Sequence, residues 1–244
     1  MADNLRNGTN LATVVEVTVP SSNPNGSLTT GAELEALTFL QMPEVFFRKA
    51  LAAVYGAHET AWRVCYNNHA DSEADDLVPI ERRARLEGNL RAVAELVPGV
   101  TASTVYGRRG GCNHVEVRSG PIILTSSAVP RPCDPVRWAN FRDTLARNSQ
   151  GVLFGGDEPA KDAPLYVLLL HSHYLCADGD EQRKNGYLPG SVYLAWPAPD
   201  RTYVHTLNLF DKFPDVVEAS TPRDWSAAAR VSYIYRSRRV AYGL

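Results

Sequence analysis

Two histidines separated by one residue end a long apolar run, and two aspartates follow them within residues 170–181. On a β-strand, His171 and His173 point to the same face, and a turn after the strand brings Asp178 and Asp180 near them. Two imidazoles and a carboxylate suit a divalent metal ion. The spacing therefore predicts a metal site, and a divalent metal is the cofactor we expect. The alternative is a histidine pair on a partly exposed strand, followed by an ordinary Asp-Gly turn.

A β-hairpin is predicted next to a second group of ionisable residues. Residues 114–118 and 121–125 are β-like and flank Ser119-Gly120, a typical two-residue hairpin turn. This register pairs Val117 with Ile122 and Val115 with Leu124 on one apolar, buried face. His114, Glu116 and Arg118 share the opposite face, where they are available for chemistry or for charge pairing.

The triplet Glu116-Val117-Arg118 follows a predicted helix and strand, and another helix and strand come after the hairpin. This order of elements resembles the core of the restriction endonucleases, in which a strand carries Glu-x-Lys beside an upstream aspartate. Here arginine stands in the lysine position, and no aspartate lies between Pro98 and Gly111. The resemblance implies metal-dependent phosphodiester cleavage with Glu116 as the catalytic residue. Pairing of Glu116 with a neighbouring strand is the alternative.

Arginine is concentrated in the middle of the chain. Residues 80–150 contain eleven arginines, six acids and no lysine. The guanidinium fork suits bidentate contacts to phosphate, so the segment predicts a nucleic-acid or phosphate ligand. The residues expected to contact it are Arg82, Arg83, Arg85, Arg108, Arg109 and Arg118. The alternative is local pairing, since Glu81 and Glu87 stand four residues from arginines on a predicted helix.

The loop at 106–111 has the sequence Tyr-Gly-Arg-Arg-Gly-Gly. Glycines beside Arg108 and Arg109 allow backbone N–H groups and guanidinium groups to approach one anion together. The spacing is not that of a P-loop. The loop therefore supports phosphate binding, and a solvated hairpin loop is the alternative.

Composition limits the class of protein. The chain has 244 residues, of which 44% are hydrophobic and 21% charged, as in ordinary globular proteins. No apolar run reaches the roughly 20 residues of a membrane helix, so we expect no membrane partner. The first residues do not form a secretory signal, which predicts a cytoplasmic protein. The four cysteines are scattered and are expected to be free thiols.

Helix signals are clear in the first hundred residues. Thr30 and Glu33 have the spacing of a capping box, so a helix is predicted to begin there. Pro43 interrupts it, and a second helix from Glu44 is expected to stop near Gly56. A strand at 60–66, a polar loop at 67–76 and a helix from Pro79 to the Pro98-Gly99 break complete this region.

The rest of the chain is predicted to be mainly strand. A helix capped by Asp134 is expected to end near Gly151, followed by strands at 165–174, 191–196 and 203–210. A short helix from Pro222 and a strand at 230–240 end the chain. This order predicts an α+β fold, a mainly antiparallel sheet with helices packed on one face. Residues 1–29 are expected to form an edge strand or flexible tail, and residues 30–244 a single α+β domain.

Two functional hypotheses follow from these residues. The first is an intracellular protein directed to nucleic acid or another phosphate ligand, with metal-dependent phosphodiester cleavage as its activity. The second is a non-catalytic interaction or regulatory module that binds a protein partner through an exposed sheet face. Convergence of the ionisable residues in one concave site would favour the first.

Overall fold

Three helices come first in the described part of the chain. The computed structural model describes residues 30–107, 113–137, 139–149, 164–174 and 187–221. The predicted capping box begins α1 (Gly31–Gln41): Thr30 Oγ1 accepts from the Glu33 N–H, and the Glu33 carboxylate accepts from the Thr30 N–H. Pro43 separates α1 from α2 (Glu44–Asn68), as predicted.

Helix α2 continues well beyond Gly56. The predicted stop at this glycine and the predicted strand at 60–66 are wrong, because both lie within α2. One glycine costs a helix only about 1 kcal/mol. A buried stripe with helical spacing continues on both sides of it and outweighs that cost. Its residues are Phe47, Leu51, Val54, His58, Ala61 and Cys65.

Helix α3 (Asp71–Glu95) contains Pro79 in its interior, so the predicted loop at 67–76 and the predicted start at Pro79 are wrong. An interior proline costs a helix about 3 kcal/mol. Packing of α3 along α2 offsets this cost, since one stripe of α3 is buried. The stripe contains Ala74, Val78, Arg82, Leu86, Leu90 and Val93. The predicted break at Pro98-Gly99 is confirmed, and Gly99 has a φ of 80°.

Six strands form one sheet in the described residues. They are β1 (Thr101–Val105), β2 (His114–Ser119), β3 (Ile122–Ala128), β4 (Leu165–His173), β5 (Pro189–Pro197) and β6 (Tyr203–Asn208). Their spatial order follows the chain, and every neighbouring pair is antiparallel except β3 and β4. A parallel pair needs a long crossover connection, and this one contains α4 (Asn140–Asn148). The predicted α+β fold with a mainly antiparallel sheet is confirmed.

The hairpin of β2 and β3 has the predicted faces in a different register. Ser119 pairs with Ile122, so the turn is Gly120-Pro121 rather than Ser119-Gly120. Gly120 has a φ of 52°, a conformation that glycine adopts without strain. The register differs from the prediction by two residues, and a shift of two keeps every side chain on its face. The four apolar residues Val115, Val117, Ile122 and Leu124 are buried together, as predicted.

Both faces of the sheet are covered. One face packs against α1, α2, α3, α5 (Leu209–Lys212) and α6 (Pro214–Ser220). The opposite face packs against α4 and residues 129–136. Strand β4 is therefore buried on both sides, and its side chains alternate between the two layers. Leu165, Val167 and Leu169 face one layer, and Tyr166, Leu168 and Leu170 face the other.

The second half of the described chain corrects two element boundaries. Asp134 does not cap α4; Ala139 is its N-cap, and the Asp134 carboxylate accepts from the Arg131 N–H. The strand predicted to reach Phe210 ends at Asn208, whose side chain accepts from the Phe210 N–H and begins α5. The elements predicted within 1–29, from Pro222 onwards and at 230–240 lie outside the described residues.

Candidate functional site

Three histidines and one arginine meet between the helical layer and the sheet. His58 lies on α2, Arg82 on α3, and His171 and His173 on β4. His58 is 2% exposed, His171 4% and Arg82 6%, whereas His173 is partly exposed. We call these four residues the histidine–arginine cluster. His58 and Arg82 are in it because each occupies a position in the buried stripe of its helix.

Hydrogen bonds link Arg82, His58 and His171. Arg82 Nη1 lies 3.5 Å from His58 Nδ1, and His58 Nε2 lies 3.1 Å from His171 Nδ1. Arginine has donors and no acceptor, so in its contact with Arg82 the His58 Nδ1 accepts. His58 also has a hydrogen bond to the backbone of Leu188.

Burial keeps the histidines neutral and leaves the arginine charged. It lowers the pKa of His58 well below the ordinary histidine value and that of His171 to about 3; the charge of Arg82 is the next cause for both. Burial and then Arg82 also lower the pKa of His173. The pKa of Arg82 itself falls to about 10 through burial, so Arg82 is a cation at neutral pH. The cluster thus carries one buried positive charge.

Arg82 has no carboxylate partner among the described residues. Its Nε is buried with no hydrogen-bond partner in that part of the chain. Removing an ion from water costs several kcal/mol even after the protein relaxes. A buried guanidinium surrounded by neutral imidazoles is therefore in an unfavourable environment unless an anion comes to it.

The other arginines predicted on α3 are locally paired. Arg83 Nε donates to Glu87 at 3.0 Å, and Arg83 also donates to the backbone carbonyl of Asn113. Arg85 Nε donates to Glu81 at 2.7 Å. The paired-charge alternative is confirmed for these two arginines, which lie on the exposed side of the helix. Arg108 and Arg109 lie outside the described residues, so their phosphate contact stays a prediction.

The predicted metal site is described only in part. His171 and His173 both lie close enough to Arg82 for its charge to lower their pKa values. Asp178 and Asp180 lie outside the described residues, so the metal site stays a prediction. Within the described ranges, no group of three histidine, cysteine, aspartate or glutamate side chains could hold a metal ion.

On the opposite face of the sheet, Glu116 is the centre of a second polar group. Glu116 is only 7% exposed, and its two oxygens lie 2.5 Å from Arg118 Nη2 and 3.3 Å from His114 Nε2. The charge pairing thus runs along β2 and not across to a neighbouring strand. The Phe141 ring of α4 stacks on His114 with centroids 3.6 Å apart, which covers this face.

Further polar side chains surround Glu116 on the same face. Tyr166 Oη lies 2.8 Å from Thr125 Oγ1, and Arg142 Nη2 donates to Ser127 Oγ at 3.1 Å. Burial raises the pKa of Tyr166, which keeps its hydroxyl protonated. Its carboxylate neighbour Glu116 has both a cation and a histidine beside it, so the negative charge is balanced within the described residues. We call this group the Glu116 cluster; its members are His114, Glu116, Arg118, Thr125, Tyr166 and Arg142.

Sequence reasoning missed four members of these clusters: His58, Thr125, Tyr166 and Arg142. His58 stands four residues after Val54 in the apolar stripe of α2, and a polar residue in such a stripe is a signal of a buried polar site. The predicted helix end at Gly56 hid that signal. Arg82 was predicted to contact phosphate together with several other arginines, and the structure shows that its side chain is buried.

No family model matches the chain, and comparison with curated proteins and with solved structures finds no match either. Among the helices described, none has both the length and the apolar character needed to cross a membrane. Cys65 and Cys133 are free thiols, as predicted.

Proposed function

We propose that this protein binds a small phosphate-bearing ligand at the histidine–arginine cluster. The observation that supports the proposal is the buried guanidinium of Arg82. Among the described residues, this guanidinium has no carboxylate partner, and its Nε makes no hydrogen bond. An incoming anion would supply the missing charge and accept the free N–H. Arginine is the side chain best suited to bind phosphate in this way, through two parallel hydrogen bonds.

The chemistry of the cluster favours an anion over a metal ion. A divalent cation beside His58 or His171 would be repelled by the charge of Arg82, whose Nη1 is 3.5 Å from His58. His58 Nδ1 lies 3.5 Å from Arg82 Nη1, and His58 Nε2 lies 3.1 Å from His171 Nδ1. Metal binding through any of these three histidine nitrogens would require a hydrogen bond to break.

A small ligand fits this site better than a nucleic-acid duplex. Duplex binding depends on several unpaired cations that lie on one surface and neutralise phosphates together. Arg83 and Arg85 are instead paired with Glu87 and Glu81. The cluster itself is buried except at His173, which is partly exposed. We therefore propose a ligand with one phosphate group to insert, and nucleic acid is an alternative that the experiment tests.

Calorimetric titration of the full chain with inorganic phosphate tests the proposal. We expect measurable binding to the unmodified protein, and an affinity about tenfold to a hundredfold lower for Arg82→Gln, because a hydrogen bond to a charged group is worth roughly 1.5–3 kcal/mol. Arg85→Gln is the matched control, since Arg85 lies on the same helix but is exposed and paired. Its affinity for phosphate should equal that of the unmodified protein.

Two further measurements separate the alternatives. If the counter-charge of Arg82 is internal, phosphate will not bind, and Asp178→Asn or Asp180→Asn will destabilise the protein; that result would reject the proposal. Titration with duplex and single-stranded oligonucleotides at two salt concentrations tests the nucleic-acid alternative. Strong, salt-sensitive binding that Arg82→Gln leaves unchanged would place the phosphate contacts elsewhere.

A further inference from the structure

We propose that residues 12–19 of this chain pair along the outer side of β6 as a further strand of the sheet. This interaction concerns the sheet edge and is independent of phosphate binding at the histidine–arginine cluster. Three features support it: β6 is the last strand in the described sheet, the described chain begins directly beside β6, and residues 12–19 have the sequence pattern of a strand.

Strand β6 (Tyr203–Asn208) is one edge of the sheet. It pairs antiparallel with β5, and no described strand pairs with its other side. In an antiparallel pair, alternate residues direct their backbone groups away from the partner, so roughly half of the N–H and C=O groups of β6 point outwards. The strand contains no lysine, acid or proline, the residues with which proteins commonly protect an edge. Its outer side is therefore suited to accept another strand.

The described chain begins against the middle of β6. Gly31, the first residue of α1, lies against the imidazole ring of His205, and a Cβ atom on residue 31 would collide with that ring. One turn later on α1, Glu35 Oε1 lies 2.7 Å from His205 Nε2. These two contacts hold the start of α1 on β6. The segment that precedes Thr30 is therefore attached to the molecule beside this edge of the sheet.

The sequence of residues 12–19 is Ala-Thr-Val-Val-Glu-Val-Thr-Val, in which all but two residues are valine or threonine. These β-branched residues favour strands. Val15, Val17 and Val19 alternate with polar residues, so on a strand they share one apolar face. On β6, the partly buried Leu207 packs against the core on the helical side of the sheet. A strand paired with β6 would extend that apolar side with its three valines.

The length of the connection favours β6 over the other edge strand, β1. Residues 20–29 are rich in proline, asparagine, serine and glycine, which form turns. A coil of this length has a root-mean-square end-to-end distance of about 17–19 Å. With strands about 4.8 Å apart, β1 lies roughly 24 Å across the sheet from β6. A short connection also gives an effective concentration of about millimolar, which favours the chain's own segment over that of a second copy.

Residue-resolved hydrogen exchange of the full chain, measured by NMR, tests the proposal. Alternate amides of residues 12–19 should exchange at least about tenfold more slowly than in an unstructured peptide of the same sequence. Glu16→Pro combined with Val17→Pro removes two adjacent N–H groups, one of which must face β6, because neighbouring residues of a strand direct their N–H groups to opposite sides. In this double variant, the amides of β6 that do not bond to β5 should exchange at least about tenfold faster. Arg6→Pro combined with Asn7→Pro is the matched control and should change neither set of amides.

Three results would overturn the proposal. Fast exchange of residues 12–19 in the unmodified protein would show that they form no strand, even if another segment such as 222–244 protects β6. Faster exchange of β1 instead of β6 in the double variant would place the strand at the opposite edge. Loss of protection when the protein is diluted about tenfold would show that the strand comes from a second copy of the chain.

Discussion

The histidine–arginine cluster and the Glu116 cluster lie on opposite faces of one sheet, and both bury ionisable side chains. In the Glu116 cluster, the carboxylate of Glu116 accepts from Arg118 and lies 3.3 Å from His114 Nε2. In the histidine–arginine cluster, the cation of Arg82 has only neutral imidazoles beside it among the described residues. Within the described ranges, the charges are thus matched on one face and unmatched on the other.

The two clusters differ in whether a buried charge has an opposite charge beside it among the described residues. A paired and hydrogen-bonded buried charge is compatible with a stable fold, whereas an unpaired one lowers the stability of the protein that contains it. Charged groups that are buried without partners are also candidates for functional sites, because a ligand can supply the missing interaction. The contrast is the basis of our proposal that Glu116 has a structural role and Arg82 a binding role.

Of the changes considered, lowering the pH should have the largest effect on the free energy of unfolding, and it acts on the histidine–arginine cluster. The folded pKa of His171 is about 3 and that of His58 is also depressed, against an unfolded value near 6.5. The stability that depends on neutral histidines is complete above about pH 6.5 and is lost as the pH falls towards 3, on the order of a few kcal/mol. Urea unfolding in phosphate-free buffer between about pH 6.5 and 5 measures this loss. His171→Asn should show a shallower dependence on pH, and an unchanged slope would assign the loss to groups outside the cluster.

Replacing Arg82 by an apolar residue of similar length should stabilise the ligand-free protein. Arg82→Met removes a buried charge that has no carboxylate partner among the described residues, and replacing even a complete buried ion pair by apolar residues is often neutral or stabilising by about 1–4 kcal/mol. The free energy of unfolding of the variant should rise by such an amount, and phosphate should no longer increase it further. A decrease of several kcal/mol would reveal an internal partner for Arg82 and remove the contrast between the two faces.

Glu116→Gln should destabilise the protein, whereas Arg82→Met should stabilise it. It leaves buried His114 beside a neutral amide and deprives Arg118 of its carboxylate, so the free energy of unfolding should fall by about 1–3 kcal/mol. Chemical denaturation measures the change. Phosphate affinity should stay the same, because Glu116 lies on the other face of the sheet. A variant with unaltered stability but altered phosphate binding would mean that Glu116 takes part in the site.

The smallest change in stability is expected for Arg85→Gln. This substitution breaks an exposed ion pair with Glu81, one turn away on α3. Such pairs contribute roughly 0.3–0.5 kcal/mol, and salt screens them. Thermal unfolding at low and high ionic strength should therefore show a slight difference that shrinks as salt is added. A large and salt-independent loss would indicate that Arg85 has a further role in packing.

Much of the fold could be predicted from local signals. The capping box at Thr30, the break at Pro43 and the apolar face of the β2–β3 hairpin were all correct. The errors at Gly56 and Pro79 have one cause: both residues weaken a helix locally, yet packing between α2 and α3 outweighs that weakness. Local preference is worth about 1–3 kcal/mol at such positions, which a buried helix interface exceeds.

The candidate site, too, could be predicted only in part from local signals. From the sequence alone it could be predicted that His171 and His173 share a strand, that arginines are concentrated in the middle of the chain, and that Glu81 and Glu87 are spaced to pair with two of them. The burial of Arg82 and the exposure of its neighbours Arg83 and Arg85 depend on how α3 packs. The contact between His58 and His171 likewise depends on how α2 packs on the sheet. The reason is physical: spacing fixes which residues share a face of one element, whereas burial, charge balance and the direction of a hydrogen bond depend on what the opposing element places there.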